Sequence, residues 1–247
     1  MTQNRRRKGR VARVAAVLER HLGCPRRKKP LPPPLDMLVA TILSQNTSDK
    51  NSHRAYRELR RRFPSWRSVA MARPSALRAA IRCGGMANQK APRIQKVLQT
   101  LRDRNGRYTL ESLRRMPDQE ILDQLTGLDG VGIKTAACVL LFSLGRDVFP
   151  VDTHVHRVCN RLGLVRNCPT PEKTFASMRT LIPAGKGYSL HTNMIRFGRK
   201  ICRSALPACE QCPLFDECVY PGRRRRAGVR STSRADHDFM LLDNVEA

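Results

Sequence analysis

Apolar residues recur along the chain at a helical period. In residues 11–22, Val11, Val14, Val17, Leu18 and Leu22 fall on one side of a helix. Residues 36–46 (DMLVATILSQN) are apolar on nearly every side, which predicts a central buried helix, and the run ends in the polar Ser44, Gln45 and Asn46. Amphipathic stretches near 49–62, 74–82, 89–103, 118–125, 134–144, 153–162, 171–182 and 189–200 predict further helices. Pro64, Pro74, Gly84, Gly85, Gly106 and Pro117 punctuate them. No run of alternating β-branched residues predicts a strand, so the expected fold is all-α. Lys28 to Pro34 (KKPLPPP) cannot continue a helix and reads as a linker. Residues 1–10 read as a disordered basic arm, and 221–247 as a basic, disordered tail.

Charge narrows the partners. The 247 residues carry 47 Lys and Arg against 20 Asp and Glu, a formal net charge of +27. Eleven of the basic residues lie between Met1 and Pro30, against one Glu. Such an imbalance repels itself unless a polyanion is near, which points to nucleic acid. No apolar run is long enough to span a bilayer, so no membrane role is expected. No signal-peptide cleavage pattern follows the basic start, and the expected location is cytoplasmic, with the nucleoid. Nine cysteines in a reducing compartment, an odd number, argue for metal rather than a disulfide framework.

Four of them are grouped. Cys202, Cys209, Cys212 and Cys218 follow C-x6-C-x2-C-x5-C. Structural zinc sites use two close pairs, and only Cys209 and Cys212 form one. The wider spacings suit a cubane iron–sulfur cluster, whose irons sit on separate corners. Cys24, Cys83, Cys138, Cys159 and Cys168 show no grouping. No G-x-G-x-x-G follows a strand, so a structural or DNA-positioning role for the cluster is as open as electron transfer.

Two further segments carry candidate chemistry. In LDGVGIKTA (128–136), Gly130 and Gly132 permit positive φ and leave backbone amides uncovered at the start of a helix, where they can hold a phosphate. A plain helix–helix turn would share this pattern. Lys134 follows directly. An amine attacks only when neutral, and partial burial and the positive end of a helix both favour that form. A solvated surface lysine is the alternative. Eighteen residues on, VDTHVHR (151–157) places Asp152 as a helix N-cap, or as a carboxylate able to act as a base or to stabilise a sugar cation.

Hairpin, lysine, aspartate and cysteines, in this order, resemble the endonuclease III family of the helix-hairpin-helix superfamily. ILSQNTSD (42–49) and FGRKIC (197–202) also fit, and the likeness covers roughly residues 11–220. It implies two helical lobes flanking a DNA-binding cleft. One is a six-helix barrel over 35–146 with the helix-hairpin-helix. The other combines residues 1–34 with a cluster lobe at 147–220. It implies a DNA glycosylase with AP lyase activity that flips the target nucleotide out of the duplex. Lys134 would attack the sugar C1′, with a Schiff base and β-elimination following, and Asp152 would activate it. Gln45 or Asn46 would fill the gap in the duplex, and His154 would lie near the DNA. The backbone of Gly130, Val131 and Gly132 would meet a phosphate. A 4Fe–4S cluster would sit on the four cysteines. The partner would be double-stranded DNA with a damaged or mispaired base or an abasic site, bound by a monomer.

The sequence departs from the family's usual form in places. Asp129 replaces the hairpin proline, Phe197 stands where many relatives carry histidine, and Gln45-Asn46-Thr47 differs from the commonest form. Lys134, rather than serine, argues against adenine removal. Oxidised pyrimidines are the expected substrate. Thymine or uracil mispaired with guanine is the alternative within the class, and a non-catalytic DNA-binding iron–sulfur protein the alternative outside it.

Overall fold

The computed structural model describes residues 3–224, and among them every regular element is helical. Residues 27–146 form one compact unit, and residues 3–26 join residues 147–224 to form a second. Among the described residues no helix is long and apolar enough to cross a membrane.

The first unit is organised around α2 (Pro34–Ser44). Pro34 opens it, because its fixed φ and missing N–H suit a first turn. Leu35 through Leu43 are all buried, as the all-round apolar sequence requires. The charged member of this stretch, Asp36, is satisfied twice. It accepts from the Tyr56 hydroxyl at 2.6 Å and from the Trp66 indole at 3.2 Å. Burial, with the Asp36 charge added, raises the Tyr56 hydroxyl's pKa, so it stays a donor. These bonds tie α2 to α3 (Asp49–Arg62) and to the short α4 (Trp66–Ala70), which a Ser65–Ser68 capping box starts. Five residues are too few to show a helical period, so the sequence does not betray α4. Then come α5 (Pro74–Ile81), α6 (Ala87–Asn105), α7 (Asp118–Thr126) and α8 (Ile133–Cys138). α2 packs against α3, α6 and α8. The helix expected over 134–144 is α-helical only to Cys138 and continues as a π-helical turn, Val139–Ser143.

The second unit contains α1 (Gln3–Leu22), α9 (Thr153–Arg161), α10 (Pro171–Met178) and α11 (Gly187–Lys200). α11 is buried on most sides and packs on α1 and α9. Its start is held by Asp147, whose carboxylate accepts from Gly185 N at 2.5 Å and Gly187 N at 2.8 Å. Gly187 cannot be larger, since a Cβ would lie 2.6 Å from the Asp147 carboxylate and the Val148 carbonyl.

The expectation of a disordered arm over 1–10 is overturned from Gln3 onward, because α1 already begins there. The cause lies in side chains that the charge pattern hides. Arg7 donates to Ser177 Oγ at 2.8 Å and to Leu164 O at 3.1 Å, and Arg10 pairs with Glu217 at 3.5 Å. The tail expected over 221–247 lies outside the described residues from 225 onward.

Candidate active site

The glycine hairpin follows α7. Leu128 and Val131 are buried and anchor the turn, and Val131 N–H donates to Leu128 O at 3.1 Å. Val131 therefore serves the turn with both side chain and amide. Gly130 adopts φ +74°, and Arg93 lies across it so closely that a Cβ there would sit 2.1 Å from Nε. Gly132 is exposed and is the N-cap of α8, with no side chain capping the first turn. The first-turn amides keep the positive end of the helix open. Lys134 is the second residue of α8 and half-buried, and its Nζ has no hydrogen-bond or ion-pair partner among the described residues. Asp129, the departure from the usual hairpin, pairs with Lys96 at 2.7 Å. That bond holds its carboxyl below the usual carboxylate range. The charge that would oppose a phosphate has its own counter-charge.

Gln45 and Asn46 leave the end of α2 in extended and left-handed conformations (Asn46 φ +52°), although the sequence pattern carried the helix to 46. The Gln45 amide bridges two groups. Its oxygen accepts from Arg93 Nη1 at 2.8 Å, and its nitrogen lies 3.4 Å from Thr135 Oγ1, next to Lys134. Asn46 is exposed, with its amide 3.6 Å from Met86 Sδ. Behind them Lys90 is 1% exposed. It donates to Leu43 O at 2.8 Å and Gly84 O at 2.9 Å, and burial lowers its pKa. It fixes the turn from which Gln45 emerges.

Asp152 belongs to the second unit, as do His154 and the cysteines. Its backbone is set from both sides. Pro150 O accepts from the buried His191 Nδ1 at 2.8 Å, and Val151 is buried. The carboxylate caps α9 by accepting from Val155 N at 2.8 Å. Its other oxygen has no hydrogen-bond partner among the described residues. His154 is half-buried, and desolvation lowers its pKa more than Asp152 raises it. Arg157 donates to His154 Nδ1 at 3.1 Å, and a guanidinium only donates, so the proton of the neutral ring sits on Nε2. Arg157 also donates to Gly198 O at 2.7 Å and to Cys202 O at 3.0 Å. It thereby joins α9 to the end of α11 and to the cysteine loop. Gly198 lets these helices close, since a Cβ there would be 3.0 Å from that of His154. Phe197 is buried core, which explains an apolar ring in FGRKIC.

Cys202, Cys209, Cys212 and Cys218 line one pocket, with Leu162, Phe197 and Ile201 among its walls. Burial pushes the Cys212 thiol up to about 12, and the other three cysteines add to the shift. A cationic centre would reverse that balance. Arg161 Nη1 lies 3.5 Å from Cys202 Sγ, and its carbonyl accepts from Cys218 Sγ at 3.3 Å. Among the described residues no three His, Cys, Asp or Glu side chains are gathered closely enough for a single metal ion. What the pocket does offer is four thiols on one apolar-lined loop, the donor set that an iron–sulfur cluster uses.

The structure thus brings Gln45, Gly130 and Lys134 together in one unit and Asp152, His154 and the cysteine loop together in the other. Sequence reasoning missed Lys90, Arg93 and Arg157. Lys90 and Arg93 stood three apart in a predicted amphipathic helix, but nothing in that spacing distinguishes a buried cation from a solvated one.

Residues 39–184, more than half of the chain, match the HhH-GPD superfamily of base excision DNA repair proteins. Endonuclease III of Thermotoga maritima is 37% identical over 198 residues, covering 80% of this chain and 88% of that protein. An Arabidopsis thaliana protein named as a candidate DNA glycosylase is 37% identical over 190 residues, covering 73% of this chain, which spans 64% of that protein's length. Among solved structures, a trapped endonuclease III–DNA covalent intermediate superimposes with a TM-score of 0.71 at 27% identity, over 89% of this chain and 97% of that one. The chain belongs to the endonuclease III family of base excision repair DNA glycosylases, within the HhH-GPD superfamily.

Proposed function

We propose that the chain is a bifunctional DNA glycosylase and AP lyase, acting as a monomer on damaged double-stranded DNA in the cytoplasm, with oxidised pyrimidines as substrates. The observation that carries this reading is Lys134, half-buried and unpaired at the uncapped start of α8, directly after a hairpin whose glycines suit a phosphate. The Nζ lone pair attacks C1′ of the flipped nucleotide and the C1′–N bond breaks, so the base leaves. Loss of the Nζ proton and ring opening give the Schiff base. Removal of a C2′ proton then expels the 3′ phosphate by β-elimination. Asp152 takes the Nζ proton and stabilises the positive sugar with its uncommitted oxygen. Gln45 leaves Arg93 and Thr135 to fill the gap in the stack. The trapped covalent intermediate of the endonuclease III relative with DNA supports a covalent step of this kind.

Cys202, Cys209, Cys212 and Cys218 would hold a 4Fe–4S cluster, which supplies a rigid cross-link for the loop and a one-electron redox centre. Arg157 and Arg161 bind the loop's carbonyls and position it against α9.

Borohydride trapping on a duplex with an abasic site tests the chemistry. The native chain forms a covalent adduct and Lys134→Gln forms none. Undiminished trapping by that variant would sink the mechanism. Nicking of a duplex panel with single oxidised pyrimidines, or with G·T and G·U mismatches, assigns the substrate.

A further inference from the structure

α1 has two faces. One carries Val11, Val14 and Leu18 into the core and ties Arg7 and Arg10 to their own unit. The other presents Arg5, Arg6, Lys8 and Arg13 to an open groove of about 980 Å³. Gly9 and Ala12 form its floor between the long basic chains, and the apolar residues 181–184 form its far wall. No acidic residue lines it. Arg13 reaches Glu217 at 3.2 Å, but Arg5, Arg6 and Lys8 are exposed and have no partner among the described residues. They also stand against the helix itself. The first turn of α1 contains no acid, and the positive end of a helix disfavours added cations. Arg5 and Lys8, three apart on one face, repel further. An anion seated in the groove relieves both.

We propose that this groove binds the phosphodiester backbone of DNA, as a binding surface additional to the hairpin. A backbone is the fitting occupant because cations at helical spacing along one wall meet a row of phosphates, while the apolar wall offers a base no hydrogen-bond donor from a side chain. The inference rests on the reading of the chain as a DNA enzyme, but the test can fail while that reading stands.

The test uses the full chain with Arg5→Gln, Arg6→Gln and Lys8→Gln combined. Binding to an undamaged duplex is measured across salt concentrations. The slope of log K against log salt should fall by about 2 to 3, at roughly 0.9 for each phosphate left without its cation. Lys134-dependent trapping at saturating protein should be unchanged. Arg104→Gln, Arg107→Gln and Arg115→Gln together remove the same charge from exposed positions in the other unit and should change the slope less. Replacing the three groove residues by Glu should stabilise α1, since acids suit its first turns, and weaken binding further. That variant separates binding from folding. An unchanged slope, or an equal fall in the control triple, overturns the proposal. So does unaltered duplex binding accompanied by weakened binding to phosphatidylserine vesicles, which would assign the groove to a membrane surface.

Discussion

The two segments proposed to carry the chemistry are held in opposite ways. Around Lys134, side-chain bonds predominate: Arg93 to Gln45, Gln45 to the buried Thr135, and Lys96 to Asp129, with Lys90 holding the turn behind them. Around Asp152, the backbone is gripped: Pro150 O by His191, Val155 N by Asp152 itself, and the carbonyls of Gly198 and Cys202 by Arg157. Exposed side-chain bonds can be exchanged for bonds to DNA at small net cost, whereas half-buried carbonyls stripped of a charged donor are expensive. The neighbourhood of the proposed nucleophile should therefore rearrange at less cost than that of the proposed carboxylate.

The largest expected effect breaks the rigid side. Arg157→Met removes a charged donor from two main-chain carbonyls and from His154, and should cost about 2–4 kcal/mol of stability in urea unfolding. Arg93→Met offers the contrasting case. It releases Gln45, whose amide is still reachable by water, and should cost under about 1 kcal/mol. Amide hydrogen exchange at residues 44–47 should nevertheless speed up. Equal losses for the two arginines would erase the distinction.

Gly198→Ala should fall between them, at about 1–3 kcal/mol, because the added methyl meets the Cβ of His154 at 3.0 Å between two packed helices. Gly130→Ala should cost about 1 kcal/mol from the left-handed backbone, since Arg93 can swing aside. If Gly130→Ala proved the costlier of the two, the hairpin would be the rigid segment and the comparison would invert.

These contrasts show which parts of the molecule the sequence made legible. The helices could be read where a stripe of Val and Leu repeated, as in 11–22, or where no polar face existed, as in α2. The hairpin glycines, Lys134, Asp152 and the cysteine run stand out in the sequence as candidates, because the proposed chemistry asks for a residue type at a fixed spacing. The Arg93–Gln45–Thr135 bridge joins residues 48 and 90 apart in sequence, and only the packing of α2, α6 and α8 brings them within reach. Arg7 and Arg10 looked like members of a loose cationic arm, because composition counts charges without showing which have found Ser177 and Glu217. Lys90 was invisible for the same reason: its two acceptors are main-chain carbonyls, present at every position.

The smallest expected effect lies in pH. His154 has its pKa depressed from 6.5, chiefly because half-burial disfavours the cation. The unfolded chain therefore binds this proton more readily than the folded one, and ∂ΔG/∂pH is positive between the two pKa values. The histidine's contribution is present above its unfolded value of 6.5 and is lost as pH falls through the lower folded value. Protonation at Nδ1 would also set two donors face to face, because Arg157 already donates there. In the native chain the urea midpoint should drop between neutral and mildly acidic pH by more than in His154→Gln. An Asn or Gln amide can accept from Arg157 without titrating, so that variant should keep the bond and lose the slope. Identical pH profiles would mean that water reaches His154 freely, and that the α9 end of the molecule is less firmly packed than its hydrogen bonds indicate.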